Sequence, residues 1–440
     1  MSVNSVKNKP NILWIFSDQH RAQAMSCAGD PNIKTSNLDK LAAEGIRFTR
    51  AYCNSPLCAP FRAGLLTGKH MNNHGVNSLH VPLIRQPMLP ETMQQLGYYT
   101  SYLGKWHLCG GEAPCSFVAP YFRPGWNDWT GWENSNRFFD TWYTTDEQFI
   151  YPIKMDKYQT DGLTDLVIDS IKDYNDDKPW FRIISYEAPH PPTALPQDYV
   201  KSYAPKEYLE LFSNKELVLR PNVDINDKKI NEYVTKLKYY YAAIKNLDDN
   251  IGRLIDCLEQ TNQLDDTIIF YFSDHGDFMG SHRRLHKQRP EEESSNIPLI
   301  IRYPKMINAG VTVSDLISSI DFAPTLMGML NAITPSYMEG MDLSHLLSGK
   351  SGKSRDEILI QFDRSFSKLI PENRYRAIVT QRYKYAHFME GPALLYDLEI
   401  DPYEMNNLSG KPEWLELQNE LCSRLLQLLY AAGDSYSEIL

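Results

Sequence analysis

Long apolar runs are missing from this sequence. No stretch approaches the ~20 residues that a membrane-spanning helix requires. The first apolar run, Ile12 to Phe16, is too short for the core of a secretion signal. The chain as given is therefore expected in the cytoplasm, or in the periplasm or outside the cell if a signal has been removed, and no membrane partner is expected. A basic surplus is missing too. Against 45 Lys and Arg stand 55 Asp and Glu, a net charge of −10. That balance argues against nucleic acid as a partner, because phosphate binding needs a basic face, although a local basic pocket remains compatible with it. Paired cysteine spacings are absent. The seven cysteines (Cys27, Cys53, Cys58, Cys109, Cys115, Cys257, Cys422) are odd in number and form no metal-type pairs. They make no disulfide framework, and at least one thiol must stay unpaired. Internal repeats and low-complexity segments are also lacking. What is present, 42% hydrophobic and 23% charged residues over 440 positions, is ordinary globular composition.

Apolar β-branched runs alternate with helical patterns. Residues 11–17 (NILWIFS) read as a buried strand, since apolar side chains occupy both faces. Further strands are expected over 46–52, 98–103, 180–187, 267–273 and 298–303. Helices are expected from the Thr35 or Ser36 cap to Glu44, over 60–67 with Pro60 in the first turn, and over 160–174 and 230–260. This alternation predicts an α/β fold, a mostly parallel central sheet with helices on both faces. Residues 110–150, rich in Trp, Tyr, Phe, Gly, Asn and Pro, break the pattern and read as a long surface excursion. Beyond the turn-rich 348–354, short strands follow at close spacing (358–362, 375–381, 384–388, 393–398), then a helix from about Pro412. The expected division is a catalytic α/β domain over 1–350 and a small α+β subdomain with an antiparallel sheet over 351–440.

Polar clusters fall at or just beyond the strand ends, where ligands gather in open parallel sheets. Asp18-Gln19 follows the first strand, and Ser273-Asp274-His275-Gly276-Asp277 follows another. Two strand-end aspartates with an amide and an imidazole suit one divalent cation. Taken singly, Asp18 reads as a turn acid and His275 as a core histidine. Cys58 sits just before a helix N-terminus, where the dipole favours an anion, and Arg62 lies one turn on. Lys105 and His107, two apart in extended chain, share a side and suit charge neutralisation with proton transfer. His190 stands among prolines that would hold its ring rigid. His282, His286 and Lys287 form a last basic cluster, which could equally be a surface loop.

Together these residues resemble a known family. Asp18-Gln19 after the first strand, Cys58-Ala-Pro-Phe-Arg62 with Leu66-Thr67-Gly68, Gly104-Lys-Trp-His107, Ala188-Pro-His190, and Ser273-Asp-His-Gly276 with Lys287 are similar to the motifs of the type I sulfatases of the alkaline phosphatase superfamily. Arg382-Tyr-Lys-Tyr385 and Leu395-Tyr-Asp-Leu398 resemble that family's C-terminal sheet domain. The resemblance implies that a formylglycine-generating or anaerobic maturase converts Cys58 to formylglycine, whose hydrate is the nucleophile. It implies one divalent cation held by Asp18, Gln19, residue 58, Asp274 and His275, with calcium first and manganese, magnesium or zinc as alternatives. It implies that His190 protonates the leaving alcohol, with Lys287 neutralising the sulfuryl oxygens or sharing the acid role, that His107 acts as base, and that Arg62 and Lys105 hold the nucleophile's charge. One departure stands out: Phe61 replaces the usual serine of the maturation signal.

The expected activity is hydrolysis of a sulfate monoester. The aromatic stretch 117–151, with Trp126, Trp129, Trp132 and Trp142, could stack on sugar rings and so suggests a small sulfated saccharide. It could equally be a hydrophobic cover on the sheet. Arg21, His80 and His282 are candidate substrate contacts. Two alternatives stand beside this reading: a phosphonate monoester or phosphodiester hydrolase of the same superfamily, and a catalytically silent binding protein whose Phe61 prevents maturation.

Overall fold

The structure is a computed structural model and describes residues 9–148, 150–192, 202–349, 352–366 and 370–440. The expected domain boundary at 350/351 lies outside the described residues. Strand β1 (Asn11–Asp18) buries Ile12 to Phe16 without a break. A strand that is apolar on both faces needs cover on both. Ile12, Trp14 and Phe16 pack with Phe61, Leu65 and Leu66 of the helix Cys58–Thr67. Leu13 and Ile15, on the opposite face, pack with residues of the helices Gln159–Lys172 and Ile230–Gln260.

The remaining strands of the main sheet are β2 (Ile46–Tyr52), β3 (Tyr99–Lys105), β4 (Asp128–Trp132), β5 (Trp142–Thr145), β6 (Ile153–Lys154), β7 (Trp180–Pro189), β8 (Thr267–Ser273), β9 (Asn296–Arg302), β10 (Val311–Val313) and β11 (Ile317–Ser318). Their order is β10-β2-β9-β8-β1-β7-β3-β4-β5-β6, with β11 also beside β2. β8, β1, β7, β3 and β4 run parallel, whereas β9, β5 and β6 supply the antiparallel pairings. The mostly parallel sheet covered on both faces is the architecture that the alternation of strands and helices predicts.

The stretch 110–150 is not wholly a surface excursion. Within it β4 extends the sheet beside β3, and Trp129 and Trp132 are completely buried. The approach is close enough that a Cβ on Gly131 would lie 2.4 Å from the Gly104 carbonyl oxygen. The strand is hidden in the sequence because its apolar content is two tryptophans set among Gly, Asn, Asp and Pro.

The second sheet is antiparallel, with β12 (Glu357–Phe362), β13 (Tyr375–Thr380), β14 (Tyr383–Phe388) and β15 (Leu394–Asp397) in sequential order. One face receives Leu421, Leu425 and Leu429 of the helix Leu415–Ala432. The other packs on Tyr52, Leu57 and Leu316 of the main body. No helix among the described residues is long and apolar enough to cross a membrane. All seven cysteines are free.

Candidate active site

Parallel strands place their carboxyl ends on one edge, and β1, β3, β7 and β8 deliver Asp18, Lys105, Glu187 and Asp274 there. β1 and β8 are in register at Ser17 and Ser273, so the two aspartates that follow are neighbours. The chain then turns sharply. Gln19 has a φ of 76°, its amide donates to Asp274 Oδ1 at 3.0 Å, and its carbonyl accepts from the Tyr240 hydroxyl at 2.8 Å. Cys58 opens its helix from the neighbouring face. Its Sγ lies 3.5 Å from Asp18 Oδ1, 3.2 Å from His275 Nε2 and 3.4 Å from Lys287 Nζ. Phe61, three residues on, is 0% exposed and packs between Phe16 and Phe272, so the departure from serine faces the core.

Charge is concentrated around this cluster. Arg62 reaches Asp18 at 3.3 Å and Asp274 at 3.5 Å, and donates to Ser185 Oγ and the Lys105 carbonyl at 2.7 Å each. Lys105 donates to Asp18 Oδ2 at 2.8 Å and lies 3.6 Å from Glu187. Burial opposes the Asp18 charge, but the Lys105, Lys287 and Arg62 cations outweigh it and hold this carboxyl well below the usual range. Burial and the Asp18 charge push Asp274 up to about 7. Burial and Asp18 also push the Cys58 thiol up to about 12, so they override the helix dipole expected to favour a thiolate.

The donor set fits a divalent cation. Ligand atoms of Asp18, Cys58, Asp274 and His275 all lie within 4.8 Å of one another, the span of opposite ligands around one ion. Asp274 Oδ2 is buried without a hydrogen-bond partner. Gln19 stands at the rim of this group, where its Oε1 accepts from Lys287 and its Nε2 donates to Asp277.

A cavity of about 630 Å³ opens over the cluster, lined by His80, His107, His190, Arg284, Lys287 and Phe366 among others. His107 has a φ of 57°, and its Nδ1 is buried without a partner. His190 Nδ1 faces the Pro191 carbonyl at 2.7 Å, so it carries the proton and leaves Nε2 free. Burial lowers both imidazoles, reinforced by Lys105 and Arg62 at His107 and by Lys287 at His190, so both rings are neutral at neutral pH.

Of the three candidate substrate contacts, only His80 reaches the cavity, with its ring centroid 5.4 Å from that of Phe366. Arg21 is buried, with its guanidinium 3.3 Å from the Tyr241 hydroxyl. His282 lies between Asn222 at 3.1 Å and Glu293 at 3.7 Å. Neither of these two stands among the residues lining the cavity. Trp129 and Trp132 are enclosed by protein and cannot stack on a sugar, which leaves Trp142 as the exposed tryptophan of that stretch.

Three acids position the site, and two of them, Glu187 and Glu133, carry no distinctive sequence signal. Glu187 accepts from the Ser135 and Asn136 amides at 2.8 and 3.0 Å, which fixes the cavity wall. Glu133 accepts from the amides of Leu108, Cys109 and Gly111 and so anchors the turn after His107. Asp277 locks Gln19 and accepts from the His286 amide at 3.0 Å. Only Asp277 lies within a motif, two residues beyond His275.

Comparison with known proteins agrees with this geometry. The sulfatase family model matches residues 10–332, and the model described as N-sulphoglucosamine sulphohydrolase, C-terminal, matches residues 280–431. An ulvan-active sulfatase of Formosa agariphila is 35% identical over 439 residues, spanning 97% of this chain and 82% of that protein. A solved structure in complex with its substrate D-glucosamine-2-N,6-O-disulfate superposes with a TM-score of 0.83 at 28% identity, over 97% of this chain and 99% of that one. The phosphonate monoester hydrolase of Agrobacterium radiobacter shares the fold, with a TM-score of 0.80 at 24% identity over 96% of each chain. The chain belongs to the type I sulfatase family of the alkaline phosphatase superfamily and is a sulfuric ester hydrolase.

Proposed function

We propose that this enzyme cleaves a sulfate monoester on a small saccharide, with residue 58 as nucleophile after conversion to formylglycine by a maturase. One observation carries the reading: Cys58, two aspartates, three cations and two neutral imidazoles converge beneath one cavity. The saccharide class is taken from the relatives, one active on ulvan and one bound to a glucosamine disulfate.

Asp18, Gln19, Asp274 and His275 would hold the cation, calcium being the first choice for so oxygen-rich a set. When bound, the cation polarises the sulfuryl oxygens, and the formylglycine hydrate supplies the hydroxyl that attacks sulfur. Arg62 and Lys105 hold negative charge at residue 58 from below. Lys287, within reach of the same side chain, neutralises the sulfuryl oxygens from the cavity side. His190 delivers a proton from Nε2 to the leaving alcohol oxygen. The neutral ring takes up that proton from solvent as the anionic substrate binds beside Lys287. His107 accepts, at its unpartnered Nδ1, the proton of the remaining hydroxyl on residue 58, so that the carbon–oxygen bond to sulfate breaks, sulfate leaves and the aldehyde is restored; His107→Ala is expected to lower turnover by about 10²–10⁴-fold.

Co-expression with a maturase followed by intact-protein mass spectrometry tests the nucleophile. Replacing the thiol by an aldehyde removes about 18 Da at Cys58. An unchanged mass under conditions that mature a control sulfatase would favour the silent binding protein. Turnover of sulfated saccharides against an aryl phosphonate monoester tests the reaction class, and a phosphonate preference of orders of magnitude would replace the sulfatase reading with its superfamily alternative.

A further inference from the structure

The loop that follows β8 presents Arg284 to the cavity. Its backbone is tightly pinned. The Arg284 amide donates to the Ser281 carbonyl at 3.0 Å, and the Arg284 carbonyl accepts from the Gly280 amide at 2.8 Å. The Phe278 amide donates to the His286 carbonyl at 2.8 Å, and Asp277 holds the His286 amide. Met279, His282, Arg283, His286 and Gln288 all have positive φ, so the shape is imposed by its surroundings rather than by local preference.

Neighbouring cations have partners, and Arg284 has none among the described residues. Arg283 pairs with Asp224, Arg289 with Glu291 at 3.1 Å, and Arg220 with Glu293 at 3.1 Å. Lys287 contacts Gln19 and Cys58. The Arg284 guanidinium is exposed and makes no hydrogen bond or ion pair with any described residue. None of the described residues lining the cavity is an aspartate or glutamate, although the whole chain carries a net charge of −10. A carboxylate-free wall that carries an unpaired guanidinium on a pinned backbone focuses positive potential on whatever enters. Lys287 Nζ lies 3.4 Å from Cys58 Sγ, whereas Arg284 makes no contact with residue 58.

We propose that Arg284 anchors a second anion subsite, which selects saccharides bearing a further sulfate or carboxylate besides the sulfate that is cleaved. The proposal rests on the saccharide-sulfatase reading and names the substrate class within it. Both anions present paired oxygens that a guanidinium meets with two parallel hydrogen bonds. The size of the cavity, about 630 Å³, leaves room for this.

The test uses the matured enzyme and three matched disaccharides that share the scissile sulfate. One has no other charge, one carries a second sulfate, and one carries a uronate carboxylate. The wild-type enzyme is expected to prefer at least one dianion by about 10- to 100-fold in kcat/KM, the size of one charge-assisted contact. Which dianion is preferred identifies the second group. Arg284→Gln is expected to bring that preference to within about twofold, and Arg284→Lys to restore part of it. Equal turnover of all three substrates by the wild type, or a preference that survives Arg284→Gln, overturns the proposal. Calorimetric titration of the unmatured chain with the same disaccharides gives an independent reading. If the matured enzyme cleaves none of them, the saccharide-sulfatase reading fails. The Arg284 subsite then stands or falls on whether Arg284→Gln weakens dianion binding by about tenfold.

Discussion

His275 Nε2 lies 3.2 Å from Cys58 Sγ, while His275 Nδ1 lies 3.1 Å from the Gly276 carbonyl oxygen. A carbonyl only accepts, so the proton is on Nδ1 and the Nε2 lone pair faces the space shared with Asp18 and Asp274. That arrangement presents a ligand nitrogen whose orientation is fixed from behind.

A cation that fits this space binds the folded chain and not the unfolded one. Chelator-treated protein should gain about 2.7 kcal/mol of stability when calcium or manganese reaches a hundred times its dissociation constant. Asp274→Asn should remove most of that gain. Thermal melts across a cation titration read both effects, and a melting temperature indifferent to every divalent ion tried would eliminate the site.

Arg62 bridges two buried carboxylates, and its guanidinium also lies 4.9 Å from the Phe16 ring centroid. Arg62→Met retains the packing but strands Asp18 and Asp274 without their partner. Urea unfolding of the chelated protein should show a loss of about 3–5 kcal/mol. A loss below about 1 kcal/mol would mean that Lys105 alone balances the pair.

At the other end of the chain, Asp434 ties the end of the C-terminal helix to its sheet. It pairs with Arg376 and accepts from the Tyr436 amide at 3.0 Å and Gln361 Nε2 at 2.6 Å. Burial opposes its charge, but the Arg376 hydrogen bond and charge prevail and lower its carboxyl below the ordinary value. The folded value thus lies below the unfolded one of about 4. Its contribution is complete above that pH and fades as the pH falls through the folded value. Asp434→Asn should therefore flatten the acid side of a stability profile taken from about pH 6 to about pH 3. An unchanged slope would show that other carboxyls set the acid limit.

The tryptophans of the 117–151 stretch should divide by burial. Trp129 stacks on Tyr102 with centroids 5.3 Å apart, whereas Trp142 is 44% exposed. Trp129→Ala should cost about 3–5 kcal/mol in denaturant unfolding, and Trp142→Ala less than about 0.5 kcal/mol. Similar losses at both positions would contradict the assignment of Trp129 to the core.

Local pattern made much of the fold legible. β1, β2, β8 and the helix Ile230–Gln260 arise from short-range signals: an unbroken apolar run, a 3.6-residue stripe, a turn residue at the right place. Such signals act within about ten residues, so they survive in the bare sequence. The clusters around Asp18, Cys58, Lys105 and Asp274 were legible for the same reason, since each adjoins a recognisable strand or helix end.

Long-range partners were not legible. Gln19 and Arg21 are two residues apart, yet the turn at Gln19 leaves one beside Lys287 and buries the other against Tyr241. Arg283 and Arg284 are adjacent, yet Asp224 takes the first and no described residue takes the second. Trp129 became core only because β3 lay open to a further strand. The amino-acid order by itself determined which segments are strands and helices and which chemistry stands at their ends. Which of those side chains meet, and which stay free for a ligand, only the tertiary structure decided, because contact energy depends on groups brought together from hundreds of residues away.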